Sequence, residues 1–296
     1  MPLRIFDKDR LPSSDMPGIS YFEIQSRVGF SSPELLNSFP KHLSVRRTIE
    51  SAWADSPLSK PLLVYEDDLK VDACLRWFQA ELSGQAQVKE PPLQTSWRML
   101  EDEAKQDQQK IIGEEEDETY PDITSTLDWA DKTALSDLPS SAQKVALFLR
   151  AVIRTPDLLL LDEAFSGMDA DIRDKCLVFL EFGQKKVLKM VEIRGKLNLR
   201  LYSTSFLEKE EIHLKGLQPH QTLIATSHEA DDIPICVRDW ICLPRPGMGP
   251  PRFGRFPKSI RRNHTLFDKI VGGVDIDPAK DGTSSHDDDC FEGDGC

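Results

Sequence analysis

The sequence predicts an α/β protein in which a parallel β-sheet is flanked by helices. The main evidence is the run LLLLDE at 158–163, because four consecutive leucines cannot alternate between a buried and an exposed face. A strand made of them must be covered on both sides, as in a parallel sheet between helices. Residues 222–228, TLIATSH, predict a second buried strand, and residues 141–154, SAQKVALFLRAVIR, predict the clearest helix of the chain. These three segments together indicate the fold class.

A strand and a block of helices are expected before the leucine strand. Residues 19–32, which end in RVGFSS, predict the first strand of the sheet. Residues 43–53 and 69–82 have helical spacing of their apolar side chains, and a proline-containing linker separates them. We therefore expect a helical block between the first strand and the leucine strand.

Capping signals mark the helix that leads into the leucine strand. Ser140 and Gln143 fit the S-x-x-Q capping box at its start, and the pair Thr155-Pro156 ends it. After the strand, residues 172–183 predict another helix, and a charged stretch at 184–216 precedes the second buried strand.

Acidic and histidine side chains follow the two buried strands. Asp162 and Glu163 end the leucine strand, and His228 closes the second one. Open α/β sheets bind ligands outside these carboxyl ends, so we expect the three side chains to meet at one edge. An aspartate there suits Mg²⁺, a glutamate can activate water, and a histidine can contact a transferring phosphoryl group. The pattern predicts nucleotide hydrolysis; the alternative is an ordinary strand end whose acids are solvated.

Composition bounds the class of protein and its partners. With 296 residues, 39% of them hydrophobic, the chain can form one sizeable core or two small ones. The net charge of −13 argues against a nucleic-acid partner. No apolar run approaches the ~20 residues of a membrane helix, and the start lacks a targeting pattern, so we expect a cytoplasmic protein.

Six scattered cysteines without CxxC spacing argue against a zinc site or a disulfide framework.

Charge is distributed unevenly along the chain. Residues 101–118 and 275–296 are strongly acidic, and we expect them to be solvated or disordered. The basic stretch 251–264, PRFGRFPKSIRRNH, interleaves arginines with phenylalanines. Its proline and glycine content predicts a surface loop, which could contact an acidic partner.

The order of these motifs resembles that of the ATP-binding domain of the ABC superfamily. LLLLDE resembles its Walker B strand, SGMD at 166–169 its D-loop, and TSH at 226–228 its H-loop. Residues 138–157 fall where the LSGGQ signature and its helix belong, and residues 28–53 resemble the Q-loop region and helical subdomain. The resemblance covers roughly residues 18–245. It is greatest to the soluble ModF and photorepair type and its fungal relatives, which carry no membrane domain of their own.

The resemblance implies ATP and Mg²⁺ as cofactors and a P-loop NTPase fold with an inserted helical subdomain. By the matching motifs, Asp162 would help to hold Mg²⁺, Glu163 would act as the general base, and His228 would contact the γ-phosphate.

It also implies a junction with a second ABC ATPase domain, from a homodimer or a tandem domain. Ser166 and Asp169 would lie at that junction, and Ser166, Gly167 and Asp169 are expected to bind the cofactor there. The free N–H groups that start the signature helix suit the γ-phosphate of ATP held by the opposing domain. The side chains that the resemblance places there are Ser140, Ser141 and Gln143.

Three departures from the family pattern concern the nucleotide. No GxxxxGK[ST] loop, the Walker A phosphate cradle, occurs in the sequence. Pro139 occupies the signature serine position and Ser141 the second glycine, while Pro33 stands at the Q-loop glutamine with Glu34 beside it. Losing at least three charge-assisted hydrogen bonds from the cradle costs on the order of 5 kcal/mol. A loss of this size lowers the affinity for ATP more than a thousandfold, so we expect the chain alone to bind ATP weakly.

The motifs divide the chain into four expected regions. These are 1–35, a partial start of the ABC core up to the Q-loop; 36–137, a helical subdomain with an acidic insert; 138–250, the signature, Walker B, D-loop and H-loop half of the core; and 251–296, a basic loop and acidic tail. The 184–216 insert exceeds the usual family length, and a partner-binding element and a retained intron are both open.

These motifs leave three functions open. The first is an ATP-binding and ATP-hydrolysing ABC-class domain that is N-terminally incomplete and takes its Walker A loop from missing sequence or a partner. The alternative is a non-catalytic, degenerate ABC-like protein that docks on another ABC domain. A magnesium-dependent enzyme of another class would require a different phosphate or substrate loop, and the sequence offers none.

Overall fold

Helices and strands are mixed along the part of the chain that the structure describes, which comprises residues 4–13, 17–83, 127–185, 187–193, 196–202, 214–244, 250–256 and 258–273. In this computed structural model the strands are β1 Arg4–Ile5, β2 Lys8–Asp9, β3 Val28–Ser31, β4 Leu158–Asp162, β5 Val187–Ile193, β6 Lys196–Tyr202, β7 Thr222–Thr226, β8 Asp239–Cys242 and β9 Arg252–Arg255. The helices are α1 Tyr21–Arg27, α2 Pro33–Ser38, α3 Val45–Glu50, α4 Tyr65–Trp77, α5 Gln79–Leu82, α6 Asp128–Lys132, α7 Ser140–Val152, α8 Ala170–Phe182 and α9 His264–Gly272. The mixed α/β class is as predicted.

The leucine run forms the middle strand of a parallel sheet, in the order β3-β4-β7. Val28 pairs with Leu158 on one side, and Thr226 pairs with Asp162 on the other. Because the three strands are parallel, their carboxyl ends meet at one edge of the sheet. The predicted neighbours, the leucine strand and the strand before His228, are therefore adjacent, and the arrangement is compatible with a P-loop NTPase-like fold.

Only one face of this sheet is fully covered by the described residues. Leu159 and Leu161 are buried on the face where helix α7 packs. On the opposite face Phe30, Leu160 and Ile224 lie in one row across the three strands, and Ile224 is 50% exposed. Two predictions are therefore wrong: a leucine strand fully covered on both sides and a buried strand at 222–228. Strand β7 lies at the edge of the sheet, and its side chains alternate between half-buried and exposed.

The segment 19–32 contains a helix followed by a short strand, and the prediction of one long strand is wrong. The Ser20 hydroxyl accepts a hydrogen bond from the Glu23 N–H at 3.1 Å, which caps helix α1. The chain becomes extended only at Val28. The S-x-x-E spacing of Ser20 and Glu23 is a helix-start signal that the strand prediction overlooked.

Helices α2 to α7 pack around a common apolar core, and the predicted helices at 43–53 and 69–82 are confirmed. The first is α3 followed by a 3₁₀ turn at Ser51–Trp53, and the second is α4 and α5, which meet at Phe78. The acidic segment 101–118 lies outside the described residues. Fully buried members of this core include Val45, Ile49, Leu75, Phe78, Leu82, Val145, Phe148 and Leu149.

The basic stretch 251–264 is ordered, so the expected surface loop is not found. Residues 252–255 form β9, which pairs antiparallel with β8, and a 3₁₀ turn at Ile260–Arg262 leads into helix α9. A small apolar core explains the order, because it offsets the entropy that the chain loses on folding. Its buried residues are Phe256, Ile260, Leu266 and Ile270.

The described residues of the charged stretch 184–216 include two paired strands and a closed base. Strands β5 and β6 pair antiparallel from Val187–Tyr202 to Ile193–Lys196. At the base, the Gln184 N–H donates to the Leu214 carbonyl at 2.9 Å. Gly183 allows this closure, since its φ of 67° is left-handed and a Cβ there would lie 2.2 Å from the Leu214 oxygen.

Neither membrane-spanning helices nor paired cysteines occur in the described ranges. Every helix there is too short or too polar to cross a bilayer. Cys74, Cys176 and Cys242 are free thiols, and burial raises the pKa of Cys74 and Cys176. The two buried thiols are therefore packing residues and poor nucleophiles.

Candidate functional site

The carboxyl ends of β4 and β7 bring Asp162 and Thr226 into contact. The two residues are register partners in the parallel sheet, and the Thr226 hydroxyl donates a hydrogen bond to Oδ1 of Asp162. Asp162 is exposed at the sheet edge, so its carboxylate is accessible from solvent. The strand end thus presents an oriented anionic group.

Glu163 and His228 form the second contact at this edge. Nε2 of His228 lies 2.8 Å from Oε1 of Glu163; the histidine side chain is 85% exposed and the glutamate 36%. The sequence prediction that the ends of β4 and β7 deliver Asp162, Glu163 and His228 to one edge describes this arrangement.

Glu163 has a left-handed backbone, with a φ of 47°. Residues other than glycine seldom adopt this conformation, which costs of order 1–3 kcal/mol and persists only when neighbouring contacts hold it. Here the Glu163 N–H donates to the Thr226 carbonyl at 3.1 Å and lies 3.2 Å from its hydroxyl. Such strain is concentrated at functional sites in proteins, which makes Glu163 a candidate functional residue.

A tight turn, residues 166–169, follows Glu163 and leads into helix α8. The Ser166 N–H donates to the Glu163 carbonyl at 3.1 Å, and Gly167 has a φ of 63°. Ser166, Gly167 and Asp169 are all exposed. The three residues predicted for a domain junction therefore lie on an accessible turn directly beside the acidic edge.

Helix α7 holds this turn through two side chains of its first two turns. The Ser141 hydroxyl accepts a hydrogen bond from the Asp169 N–H at 3.1 Å, and the Lys144 ammonium donates to the Ser166 carbonyl. Ser141 is only 6% exposed. Its hydroxyl is thus directed at the 166–169 turn, whereas Ser140 beside it is exposed to solvent.

The start of helix α7 differs from the predicted capping box, and that prediction is wrong. Pro139 is the N-cap and contributes no side-chain hydrogen bond, so Ser140 is the first helical residue. The Gln143 amide donates instead to the Leu138 carbonyl at 2.8 Å. Gln143 therefore stabilises the turn before the helix.

The end of β3 also leads directly into a helix. The Ser32 hydroxyl accepts a hydrogen bond from the Leu35 N–H at 3.0 Å and caps α2, in which Pro33 is the first residue. Pro33 fits this position because its missing N–H would have no partner in the first turn. Glu34, the residue beside the Q-loop position, is exposed.

A buried ion pair anchors the segment that follows His228. Asp232 is 5% exposed and accepts a hydrogen bond from the Arg173 guanidinium at 3.3 Å. Burial raises the pKa of Asp232, although the nearby charge of Arg173 opposes the shift. Arg173 lies on helix α8, and the backbone N–H of Arg173 donates to the Asp169 carbonyl at 2.9 Å. The pair therefore links the 166–169 turn to the segment carrying His228.

The donor set at this edge fits a magnesium ion that is held mostly by other ligands. Within the described ranges, no three His, Cys, Asp or Glu side chains come together as a preformed metal cluster. Mg²⁺ commonly binds through one or two carboxylates and completes its shell with waters and phosphate oxygens. The single exposed carboxylate of Asp162 suits that mode.

Sequence reasoning did not assign a role to Thr226, Lys144 or Arg173. Thr226 could have been found, because it precedes His228 by two residues and a parallel pairing sets it beside the strand-end acid. Lys144 and Arg173 have no such local signal. Their partners are 22 and 59 residues away in the chain.

Comparison with known proteins gives two similar sequences, and no protein-family model matches. An uncharacterized ABC transporter ATP-binding protein of Saccharomyces cerevisiae is 26% identical over 178 residues, which is 59% of this chain and 25% of the relative. One of Schizosaccharomyces pombe is 23% identical over 235 residues, which is 79% of this chain and 31% of the relative. The chain thus matches about a quarter to a third of their length. The similarities support the ABC ATPase superfamily.

Proposed function

We propose that this chain is the part of an ABC-class ATPase domain that contains the catalytic acid, the D-loop and the H-loop. The observation that carries the proposal is the joint placement of two pairs, Asp162 with Thr226 and Glu163 with His228, at the carboxyl edge of a parallel sheet. The names of the two yeast relatives support ATP as the ligand.

Each of the three polar groups has a distinct task in this proposal. Mg²⁺, when bound beside Asp162, supplies positive charge that neutralises the nucleotide phosphates. Glu163 accepts a proton from the attacking water, and His228 donates its N–H to the terminal phosphate. In the present geometry the imidazole faces the Glu163 carboxylate. Its rotation toward a phosphate would free that carboxylate to act as a base.

The phosphate cradle must come from outside the 296 residues. The sequence contains no GxxxxGK[ST] loop, the motif that arranges backbone N–H groups and a lysine around the β- and γ-phosphates. We propose that a further segment or a partner domain supplies it. The exposed turn at 166–169 and the exposed Ser140 give such a partner a surface at the site.

The second candidate function is a non-catalytic ABC-like protein that docks on another ABC domain. One observation favours it: the Ser141 hydroxyl is buried and bonded to Asp169 and is not presented to a ligand. In that case the 166–169 turn would be a docking element alone.

Calorimetry with Mg-ATP distinguishes the two functions. We expect this chain to bind at least a thousandfold more weakly than the same chain extended at its amino terminus by upstream-encoded sequence with a Walker A loop. Failure of both proteins to bind would favour the docking function. Tight binding by the short chain would contradict our argument from the missing cradle.

Substitution of the proposed base tests the assignment of Glu163. In the extended protein, Glu163→Gln should lower the hydrolysis rate by about a hundredfold or more and leave Mg-ATP binding intact, because the amide cannot accept a proton. Glu229→Gln is the matched control, since it makes the same chemical change at an exposed residue that follows His228. Equal rates of ATP hydrolysis for the two variants would show that Glu163 is not the general base.

A further inference from the structure

The outer face of the β8–β9 hairpin is apolar and uncovered among the described residues. Ile241 and Phe253 are register partners, and they are 66% and 80% exposed. Leu243, which follows at the end of β8, is 75% exposed. The inner face differs, because Trp240 stacks on Phe256 with a centroid distance of 6.1 Å and packs on the small core. The three outer side chains, called here the hairpin patch, form a small contiguous apolar surface.

Basic residues border the hairpin patch. Arg255 is 73% exposed, and its guanidinium lies 3.6 Å from the exposed Asp239 carboxylate at the end of the same face. Lys258 is exposed after β9. Residues 250–262 contain five arginines and lysines and no acidic residue. A matching surface would therefore combine apolar side chains with negative charge.

The described chain ends beside this hairpin. Helix α9 closes at Gly273, which has a left-handed φ of 78° and donates its N–H to the Ile270 carbonyl. The Arg252 guanidinium, from β9, donates to the same carbonyl. It lies 4.0 Å from where a Cβ on Gly273 would be. Gly273, the last described residue, therefore lies next to strand β9.

The sequence that follows has the required composition. Residues 274–296 contain eight aspartates and glutamates against one lysine, a net charge of −7 with histidine neutral. Three apolar side chains, Val274, Ile276 and Phe291, are spaced among the acids. Both the charge and the apolar content complement the hairpin patch and its basic border.

We propose that residues 274–296 dock on the hairpin patch of their own chain. The acidic side chains lie near Arg255 and Lys258, and the apolar side chains cover Ile241, Leu243 and Phe253. Direct linkage makes the contact favourable, because a short tether gives an effective concentration in the millimolar range. The docked tail also keeps an exposed apolar surface from associating with other proteins. This inference does not depend on the proposed ATPase function.

Hydrogen exchange measured by mass spectrometry tests the docking. The proteins are the full chain, a chain ending at Gly273, and a full-length variant with Asp287, Asp288 and Asp289 changed to asparagine. At low salt, we expect amides of 239–243 and 252–256 to exchange about tenfold more slowly in the full chain than in the other two. The difference should shrink at about 0.5 M salt, because screening weakens the charge contacts. Amides of helix α4 are the internal control and should not change.

A synthetic peptide of residues 274–296 provides the second test. It should bind the chain that ends at Gly273 and fail to bind its Phe253→Ser variant. Equal exchange of the hairpin in all three proteins of the first test would overturn the proposal. So would a salt-independent protection, or a Phe253-dependent dimer of the full chain in sedimentation velocity, which would make a second copy the occupant.

Discussion

Individual side chains at the acidic edge act in pairs, and each pair joins two strands. The Thr226 hydroxyl orients Asp162, while the Thr226 carbonyl holds the left-handed Glu163. His228 then completes the set by its contact with Glu163. Thr226 is thus the residue that connects the candidate metal ligand to the candidate base.

Away from the site, burial of Glu181 on helix α8 destabilises the ionised form of its side chain. Its Oε2 atom is buried without a hydrogen-bond partner in the described part of the chain. Burial raises the pKa of Glu181, and the charge of Arg238 only partly opposes this. The folded state therefore binds a proton more readily than the unfolded state, so ionisation of Glu181 destabilises the fold as pH rises through its raised pKa.

This sign predicts the effect of Glu181→Gln. At about pH 7.5 the variant should unfold at a higher urea concentration than the parent chain, since the amide avoids the buried charge. At about pH 4 the two proteins should unfold together, because Glu181 is then largely protonated in both states. Glu66→Gln, at a 71% exposed side chain, is the control and should show no such pH-dependent difference. A lower midpoint for Glu181→Gln at the higher pH would contradict the argument.

At the scale of elements, helix α7 connects the helical block to the sheet and to the site. It packs so closely on β3 that a Cβ on Gly29 would lie 2.1 Å from the Ala151 carbonyl oxygen. Near its amino-terminal end, Ser141 and Lys144 bind the 166–169 turn. The position of the candidate junction at 166–169 therefore depends on how helix α7 packs against β3.

The close approach makes Gly29→Ala strongly destabilising. We expect a loss of about 3 kcal/mol in the free energy of unfolding, because the helix must move to accept the methyl group. Gly272→Ala is the matched control: no atom lies within 4 Å of its Cβ position, and alanine in a helix should raise stability by about 0.5–1 kcal/mol. Denaturant titrations measure both changes. A neutral Gly29→Ala would show that α7 and β3 are less closely packed.

The neighbouring serines of α7 allow a matched test of the turn. Ser141→Ala should speed hydrogen exchange of the Asp169 amide by about fivefold, since the lost bond is worth roughly 1 kcal/mol. Ser140→Ala should leave that amide unchanged, because Ser140 is exposed and Asp169 bonds to Ser141. Similar exchange in both variants would mean that Ser141 does not hold the turn.

For the whole molecule, the main feature is a parallel sheet with one face that the described residues leave partly exposed. Parallel sheets are normally covered on both sides. Here Phe30 and Ile224, at the two ends of one row, are 38% and 50% exposed. An apolar surface of this kind favours association with another polypeptide.

The open face predicts the association behaviour of the chain. Ile224→Ser should weaken self-association by about tenfold, which corresponds to roughly 1.4 kcal/mol of apolar burial. Sedimentation velocity over a concentration series measures this change. Leu58→Ser replaces a side chain that is 65% exposed elsewhere and should have no such effect. Equal weakening by both substitutions would indicate non-specific association.

The sequence alone determined the parallel leucine strand, the main helices and the meeting of Asp162, Glu163 and His228. These features follow from local patterns: a continuous apolar run, helical periodicity, and acids or histidine at strand ends. Only the tertiary structure decided that the 222–226 strand is partly exposed, that Ser141 is turned toward Asp169, and that 252–255 forms a strand paired with 239–242. Burial and hydrogen-bond partners depend on residues far apart in the chain. Local periodicity predicts which face of a helix or strand is apolar, but it does not show which residues cover that face.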